Sequence, residues 1–347
     1  MQMNNECVLA CETSCDETAF ALYDLTNQKL IDHVVYSQTS HASFGGVVPE
    51  EASKEHILKI EPLLELLLKK NNLSLDFIDY YAVTTGPGLP GSLLIGTSFM
   101  QSIAWCHKKP CIPINHLAGH VYSSLLEHDV PFPHICLSVS GGHTSLYYVE
   151  NEIIYRELGT TIDDAAGECF DKISKLMQTG YPGGPIIEKI ARENNYVDSR
   201  KYPRLKKNDY FFSFSGLKTA VLYDFVREEY YNLRTKELSP HVPLSFKQDV
   251  ASSLLCAVSD ILCSRIEKAL QDYTEIKAVT FVGGVACNTF IAKQIQILLE
   301  SYNKKLFIPS RIFCTDNAAM IAQVASLLLK NNVCNTNNNY NTTIHIP

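Results

Sequence analysis

Two stretches of the chain, 6–37 and 134–158, spell the same order of elements. Glu6 to Glu12 reads as a strand, TSCDET as a polar turn, Ala19 to Leu25 as a second strand, Thr26 to Lys29 as a turn, and Leu30 to Ser37 as a third strand. From Pro133 the pattern begins again: strand His134 to Ser140, polar turn SGGHT, strand Ser145 to Glu150, a turn at Asn151, strand Ile153 to Leu158. LYDLTNQKLI from Leu22 and LYYVENEIIY from Leu146 share Leu, Tyr and Asn in register. Helices follow each copy. A repeated three-strand meander with a polar first turn implies a duplicated α/β domain with a cleft between its halves, and 347 residues are enough for two such cores.

Between the copies the pattern reads as an amphipathic helix from Pro49 to Lys70, an apolar strand from Ile78 to Thr84, the loop TTGPGLPG, a helix from Ser92 to Cys106, a short strand from Cys111 to Ile114, and a helix over PINHLAGHVYSSLLEH. Far downstream a last strand, Ile276 to Val282, runs into GGVACN and a helix from Thr289. That strand–glycine–helix junction lets a backbone approach a nucleotide closely. The expected division is 6–132 for the first half, 133–330 for the second, and an asparagine-rich, disordered tail over 331–347.

Composition narrows the class. The amino terminus shows no basic segment followed by an apolar run, and no stretch approaches about 18 apolar residues, so no membrane span and a cytoplasmic location are expected. Twelve cysteines without a C-x-x-C pair read as reduced thiols. Cys7, Cys11 and Cys15 recur every four residues, but the first two lie in an apolar strand, where cysteine serves as a small hydrophobe. A net charge of −7 argues against a protein that coats itself in nucleic acid. The local exception is SRKYPRLKKNDYFF at 199–212, either a solvated loop or a nucleic-acid contact.

HLAGH places His116 and His120 four residues apart on one helix face, so both imidazoles can reach one ion. Two satisfied histidines on an amphipathic helix are the alternative. The zinc-protease pattern would put a glutamate directly after the first histidine; Leu117 stands there, which disfavours a protease.

ETSCDET at Glu12, HASFGGVVPE at His41, GPGLPGSLLIG at Gly86, HLAGH, SVSGGHT at Ser138, DDAAGECFDK at Asp163, YPGGP at Tyr181, FSFSGLKT at Phe212, GGVACN at Gly283 and CTDNAAM at Cys314 occur together and in this order. Over nearly the whole chain this resembles the universal family of tRNA threonylcarbamoyl-adenosine transferases, in its bacterial branch, once called O-sialoglycoprotein endopeptidases. The resemblance implies an actin/Hsp70/sugar-kinase fold of two ribonuclease-H-like halves around a nucleotide cleft. It also implies transfer of a threonylcarbamoyl group from threonylcarbamoyl-AMP to N6 of the adenosine 3′ of the anticodon, in tRNAs reading codons that begin with A, with release of AMP. A kinase or ATPase of the same fold superfamily, or a metalloprotease, is the alternative reading.

The resemblance also assigns residues. Asp316 of CTDN joins His116 and His120 as the third ligand of one divalent metal; the donor set suits Fe(II) or Zn(II), and family precedent favours iron. Ser138, Val139, Ser140, Gly141 and Gly142 line the ligand site, Asp171, Gly184 and Glu188 fall where sugar or adenine is contacted, and Asn288 lies at the nucleoside position. Asp16 and Glu17 match carboxylates needed for activity, Asp16 either taking the acceptor amine's proton or orienting it. The expected partners are tRNA, a smaller paralogue of the same fold and a P-loop ATPase. Pro90 and Cys11 replace apolar or aliphatic residues usual in the family, and no arginine- and tryptophan-containing segment is recognisable near the carboxyl end.

Overall fold

The computed structural model describes residues 6–41, 46–204 and 209–333, and the chain divides into two compact units. The first comprises Met1–Asp129, Glu152–Ile154 and Pro309–Pro347. Its sheet is built from β1 (Cys7–Glu12), β2 (Glu17–Asp24), β3 (Lys29–Ser37), β4 (Tyr80–Gly86) and β5 (Cys111–Asn115), in the spatial order β3-β2-β1-β4-β5. β1, β2 and β3 pair antiparallel, whereas β4 joins β1, and β5 joins β4, in parallel. The central strand β1, CVLACE, is buried along its whole length, as a strand covered on both faces must be. Helix α1 (Pro49–Asn71) buries Ala52, His56, Ile60, Leu64 and Leu67, a stripe with helical spacing that lies over β2 and β3. Helix α2 (Pro90–Cys106) packs beside it, and α3 (His116–Tyr122) follows β5 directly.

The second unit comprises Val130–Asn151 and Tyr155–Ile308. Strands β6 (His134–Val139), β7 (Thr144–Val149) and β8 (Tyr155–Thr160) form its antiparallel meander, and a short hairpin pairs β9 (Tyr231–Asn232) with β10 (Glu237–Leu238). Strands β11 (Ala278–Val282) and β12 (Lys305–Phe307) extend the sheet in parallel, giving the order β12-β11-β6-β7-β8. Counted within each unit, both sheets therefore have the order 3-2-1-4-5, and the duplication read from the sequence is a duplication of topology. The helices of this unit are α4 (Ala166–Leu176), α5 (Gly183–Glu193), α6 (Ser215–Arg227), α7 (Leu244–Asp272) and α8 (Thr289–Ser301).

The chain then returns to the first unit. After the single turn α9 (Arg311–Cys314), α10 (Ala318–Lys330) packs on β1 and β2, with all residues from Ala318 to Leu328 buried. A helix apolar around its whole circumference must be enclosed, and this one supplies the cover for the sheet face opposite α1. The expected second half, 133–330, is thereby corrected: residues from Pro309 onward, Asp316 among them, belong to the first unit.

Two smaller expectations also change. Ile276–Val282 is not the last strand, because the three-residue edge strand β12 follows; KLF is too short to show an alternating pattern. The HLAGH helix begins at His116 rather than Pro113, since Asn115 Oδ1 accepts from the N–H groups of Leu117 (2.8 Å) and Ala118 (3.3 Å) and caps it. The tail expectation for 331–347 falls, beyond Val333, outside the described residues.

Candidate metal centre and ligand loops

The two histidines and Asp316 meet within the first unit. Gly119, inside HLAGH, makes the approach work: a Cβ there would lie 2.9 Å from Cγ of Met320 and 3.1 Å from Cδ1 of Ile321, so only glycine lets α3 press this closely on α10. Asp316 sits just before α10, whose cap Asn317 accepts from Met320 N–H (2.9 Å) and donates to the Thr315 carbonyl (2.7 Å), fixing the backbone around the carboxylate. Asp316 Oδ1 then lies 3.0 Å from Nε2 of His120 and 3.5 Å from Nε2 of His116, and the three ligand atoms fall within 4.8 Å of one another. Donors bound at about 2.1 Å with tetrahedral angles sit roughly 3.4 Å apart. The trio fits one divalent cation.

A fourth residue orients the first ligand. Glu12, fully buried at the end of β1, receives Nδ1–H of His116 at 3.1 Å, leaving Nε2 as the lone-pair nitrogen that faces Asp316. The Glu12 carboxylate also accepts from Ser14 N–H and from the Thr84 hydroxyl, each at 2.5 Å. Burial opposes its charge, yet His116 and Ser14 hold its pKa below the usual carboxylate value. His116 is the counterpart: burial disfavours its cation, but the Asp316 and Glu12 carboxylates more than offset this and raise it to about 9. A divalent cation held by the trio would take the place of a proton on His116.

Asp16, the last residue of the turn after β1, and Glu17, the first of β2, contribute to the same field. Burial, then the charges of Asp316 and Asp16, push Glu17 well above the carboxylate range, and its carboxyl hydrogen-bonds that of Asp16.

The other predicted residues gather in the second unit, beyond the carboxyl ends of β6 and β11, where open α/β sheets bind ligands. Ser138 and Val139 are buried at the end of β6; Ser140 N–H closes the turn on the His143 carbonyl at 2.8 Å, and Gly141 and Gly142 are exposed with open space around them. Two glycines wall this turn. A Cβ on Gly167 would lie 2.5 Å from the Ser140 carbonyl oxygen, and one on Gly283, which has φ +87°, 2.4 Å from that of Val139. Asp171 accepts from Gly183 N–H at 2.6 Å and its pKa is raised by burial; a Cβ on the neighbouring Gly184 would meet nothing nearer than Cδ2 of Phe170 at 3.9 Å.

Asn288 caps α8 through Ile291 N–H (3.0 Å). Glu188 serves the same helix end: its Oε1 accepts from Thr289 N–H (2.9 Å) and the Thr289 hydroxyl (2.5 Å), a tether between α5 and α8. The basic run is more neutral than its sequence suggests. Arg200 pairs with Glu228 and Asp249, Lys201 with Asp198, and Arg204 with Asp198 and Asp260, while Lys206 and Lys207 lie outside the described residues.

The family model for tRNA N6-adenosine threonylcarbamoyltransferases matches residues 29–323. The relative from Fervidobacterium nodosum that carries this name is 43% identical over 91% of each chain, and the one from Thermosipho melanesiensis 45% identical over 91% of this chain and 92% of its own. The chain belongs to this family. Among solved structures, T. kodakarensis HypF superposes with a TM-score of 0.62 at 14% identity, covering 94% of this chain and 48% of that one. The likeness is one of fold and agrees with the paired ribonuclease-H-like sheets. Of the residues around the candidate metal centre, sequence reading missed Glu12, Ser14 and Thr84. Glu12 stands in a recognised motif, but its partner His116 is 104 residues away and no spacing rule joins them.

Proposed function

We propose that this chain transfers the threonylcarbamoyl group of threonylcarbamoyl-AMP to N6 of the adenosine 3′ of the anticodon, in tRNAs reading codons that begin with A. The observation that carries the reading is the convergence of His116, His120 and Asp316, with Glu12 behind them, in a member of this family.

In the reaction the N6–C bond forms, the C–O bond to phosphate breaks, AMP leaves and the amine gives up a proton. His116, His120 and Asp316 would hold the metal, Fe(II) in preference to Zn(II) on family resemblance, which when bound polarises and orients the acyl donor. Asp16 is assigned the amine's proton, and Glu17 lies beside it, its charged form disfavoured by burial and the charges of Asp316 and Asp16. The main-chain N–H groups of Gly141 and Gly142 are assigned to the adenylate phosphate, Ser140 N–H being spent on the turn itself, and Asp171, Gly184 and Asn288 to its nucleoside. Glu188 is assigned to that site through its hold on Thr289. A metalloprotease is not favoured, because the buried carboxylate beside His116 is already engaged by three donors, Ser14 N–H, the Thr84 hydroxyl and His116 Nδ1–H.

Two features support work in a complex. Ile57, Leu58 and Leu66 of α1 and Leu94 and Trp105 of α2 are exposed apolar side chains on neighbouring helices, the chemistry of a protein-binding face. Among the described residues of the basic run, Arg200, Lys201 and Arg204 are each paired with carboxylates, which reduces the positive charge they offer a polyanion. We therefore assign tRNA docking to an assembly with a smaller paralogue and a P-loop ATPase. No helix among the described residues is long and apolar enough to cross a membrane, and a tRNA substrate places the work in the cytoplasm.

The test is elemental analysis paired with transfer assays. His116→Ala and Asp316→Ala should each lose most of the bound metal and the activity; full metal content in Asp316→Ala would remove Asp316 from the ligand set.

A further inference from the structure

Asp16 ends the irregular turn 13–16 and Glu17 opens β2, where it pairs with Ser37 of β3, so the turn side of the pair depends on contacts from outside the turn for its direction. The buried side chain of His56, projecting from α1, touches this segment at two points. Nε2 lies 2.9 Å from the carbonyl oxygen of Cys15, and Nδ1 lies 2.8 Å from the hydroxyl of Thr18. A carbonyl only accepts, so Nε2 carries the proton and Nδ1 receives the Thr18 O–H. With both ring nitrogens engaged, His56 has no atom left for acid–base work.

The two contacts bracket the carboxylate pair: Cys15 immediately precedes Asp16, and Thr18 immediately follows Glu17. Three weaker or peripheral supports act on the same segment. Gln38 N–H donates to the Asp16 carbonyl (3.1 Å), Ser92 Oγ to the Cys15 carbonyl (3.3 Å), and Leu89 N–H to the Ser14 carbonyl (2.7 Å). On the Thr18 side the ladder to Tyr36 of β3 holds the backbone and His56 holds the hydroxyl, and Thr18 and His56 are both fully buried, so water cannot replace the pair. Burial also lowers the His56 pKa, which keeps the ring in the neutral form that this pattern requires.

We propose that His56 is a positioning residue for the transfer step, holding the Asp16–Glu17 peptide from both sides so that the carboxylates stay directed at Asp316 and the acceptor amine. The proposal rests on the transferase reading given above. It differs from a general structural role because it predicts loss in the chemical step with metal and donor binding intact.

The experiment uses the full chain, metal-loaded and assembled with its two partner proteins, and measures kcat, KM for threonylcarbamoyl-AMP, metal content and melting temperature. His56→Ala should lower kcat about ten- to a hundredfold, the scale set by small misplacements of catalytic groups, while KM and metal content stay within about twofold. His56→Gln places an amide N–H near the position of Nε2, where it can serve the Cys15 carbonyl, and should recover much of the loss; His56→Asn, which reaches only the Nδ1 position, should recover less. If His56→Ala does not fold, Thr18→Val removes one hydroxyl at constant shape and should lower kcat several-fold at unchanged KM. Unchanged kcat in His56→Ala or Thr18→Val, metal loss in proportion to activity, or no difference between the Gln and Ala variants would overturn the proposal. No product from the wild-type assembly would instead overturn the transferase reading, and the proposal with it.

Discussion

Glu12→Gln changes one atom of a buried side chain and tests whether the carboxylate behind His116 sets the metal site. Glu12 now accepts three hydrogen bonds, from Ser14 N–H, the Thr84 hydroxyl and Nδ1–H of His116. An amide has one accepting oxygen. If that oxygen faces Ser14, the NH2 group faces His116, which must then move its ring proton to Nε2, the nitrogen directed at Asp316. If the oxygen faces His116 instead, the NH2 group opposes Ser14 N–H, and the β1 end must shift. Either arrangement spoils a ligand or its backbone. Loss of such a partner costs about ten- to a hundredfold in metal affinity, or about 1.4–2.7 kcal/mol. Each lost hydrogen bond to a buried charge also removes about 1.5–3 kcal/mol of stability. Chelator competition with Zn(II), together with thermal unfolding of the metal-free protein, reads both effects. A Glu12→Gln protein that binds Zn(II) with wild-type affinity would refute the reasoning.

Other outcomes follow from the same geometry. Asp171→Ala and Asn288→Ala should weaken adenylate binding about ten- to a hundredfold with metal content intact; Asn288→Ser, which keeps the α8 cap, separates the ligand contact from helix stability, and unchanged affinity by calorimetry would sink this placement. His134 is buried at the start of β6 and its pKa is lowered by that burial to about 4 from 6.5. The unfolded chain therefore takes up a proton first, so stability is complete above about pH 6.5 and falls by about 3 kcal/mol as the pH drops through 4. His134→Phe should flatten that window in pH-dependent denaturant titrations, and an unaltered slope would contradict it. Lys206→Glu with Lys207→Glu should weaken tRNA binding by the assembled complex; normal affinity would return this segment to a solvated loop. The isolated chain should turn over slowly or not at all at about 0.15 M salt, and rapid multiple turnover would remove the need for partners.

Much of the architecture was legible because it is written in local pattern. The two meanders appear as alternating apolar runs with polar turns, and their repetition implied two like halves before any strand order was known. The place of the last helix was not legible, since an apolar run such as AAMIAQVASLLL says that it is buried without saying against which sheet. That is why Asp316 was expected in the second half and belongs to the first. At the site, the i, i+4 histidines gave half of a metal centre by helix geometry, and only the family motif supplied Asp316, 196 residues beyond His120. Glu12, Thr84 and His56 act through contacts that the sheet order creates: β1 beside β4 brings Glu12 to Thr84, and α1 across β2 brings His56 to Thr18. Glu188 and Asn288 show the converse, residues expected at the ligand whose visible partners are the first turn of α8.

Transfer of threonylcarbamoyl to tRNA is tested most directly by mass spectrometry of the nucleosides of total tRNA from cells depleted of this protein. N6-threonylcarbamoyladenosine should fall as the protein is lost, return with the wild-type chain, and fail to return with Asp316→Ala. An undiminished level of that nucleoside after depletion, or full restoration by Asp316→Ala, would contradict the account.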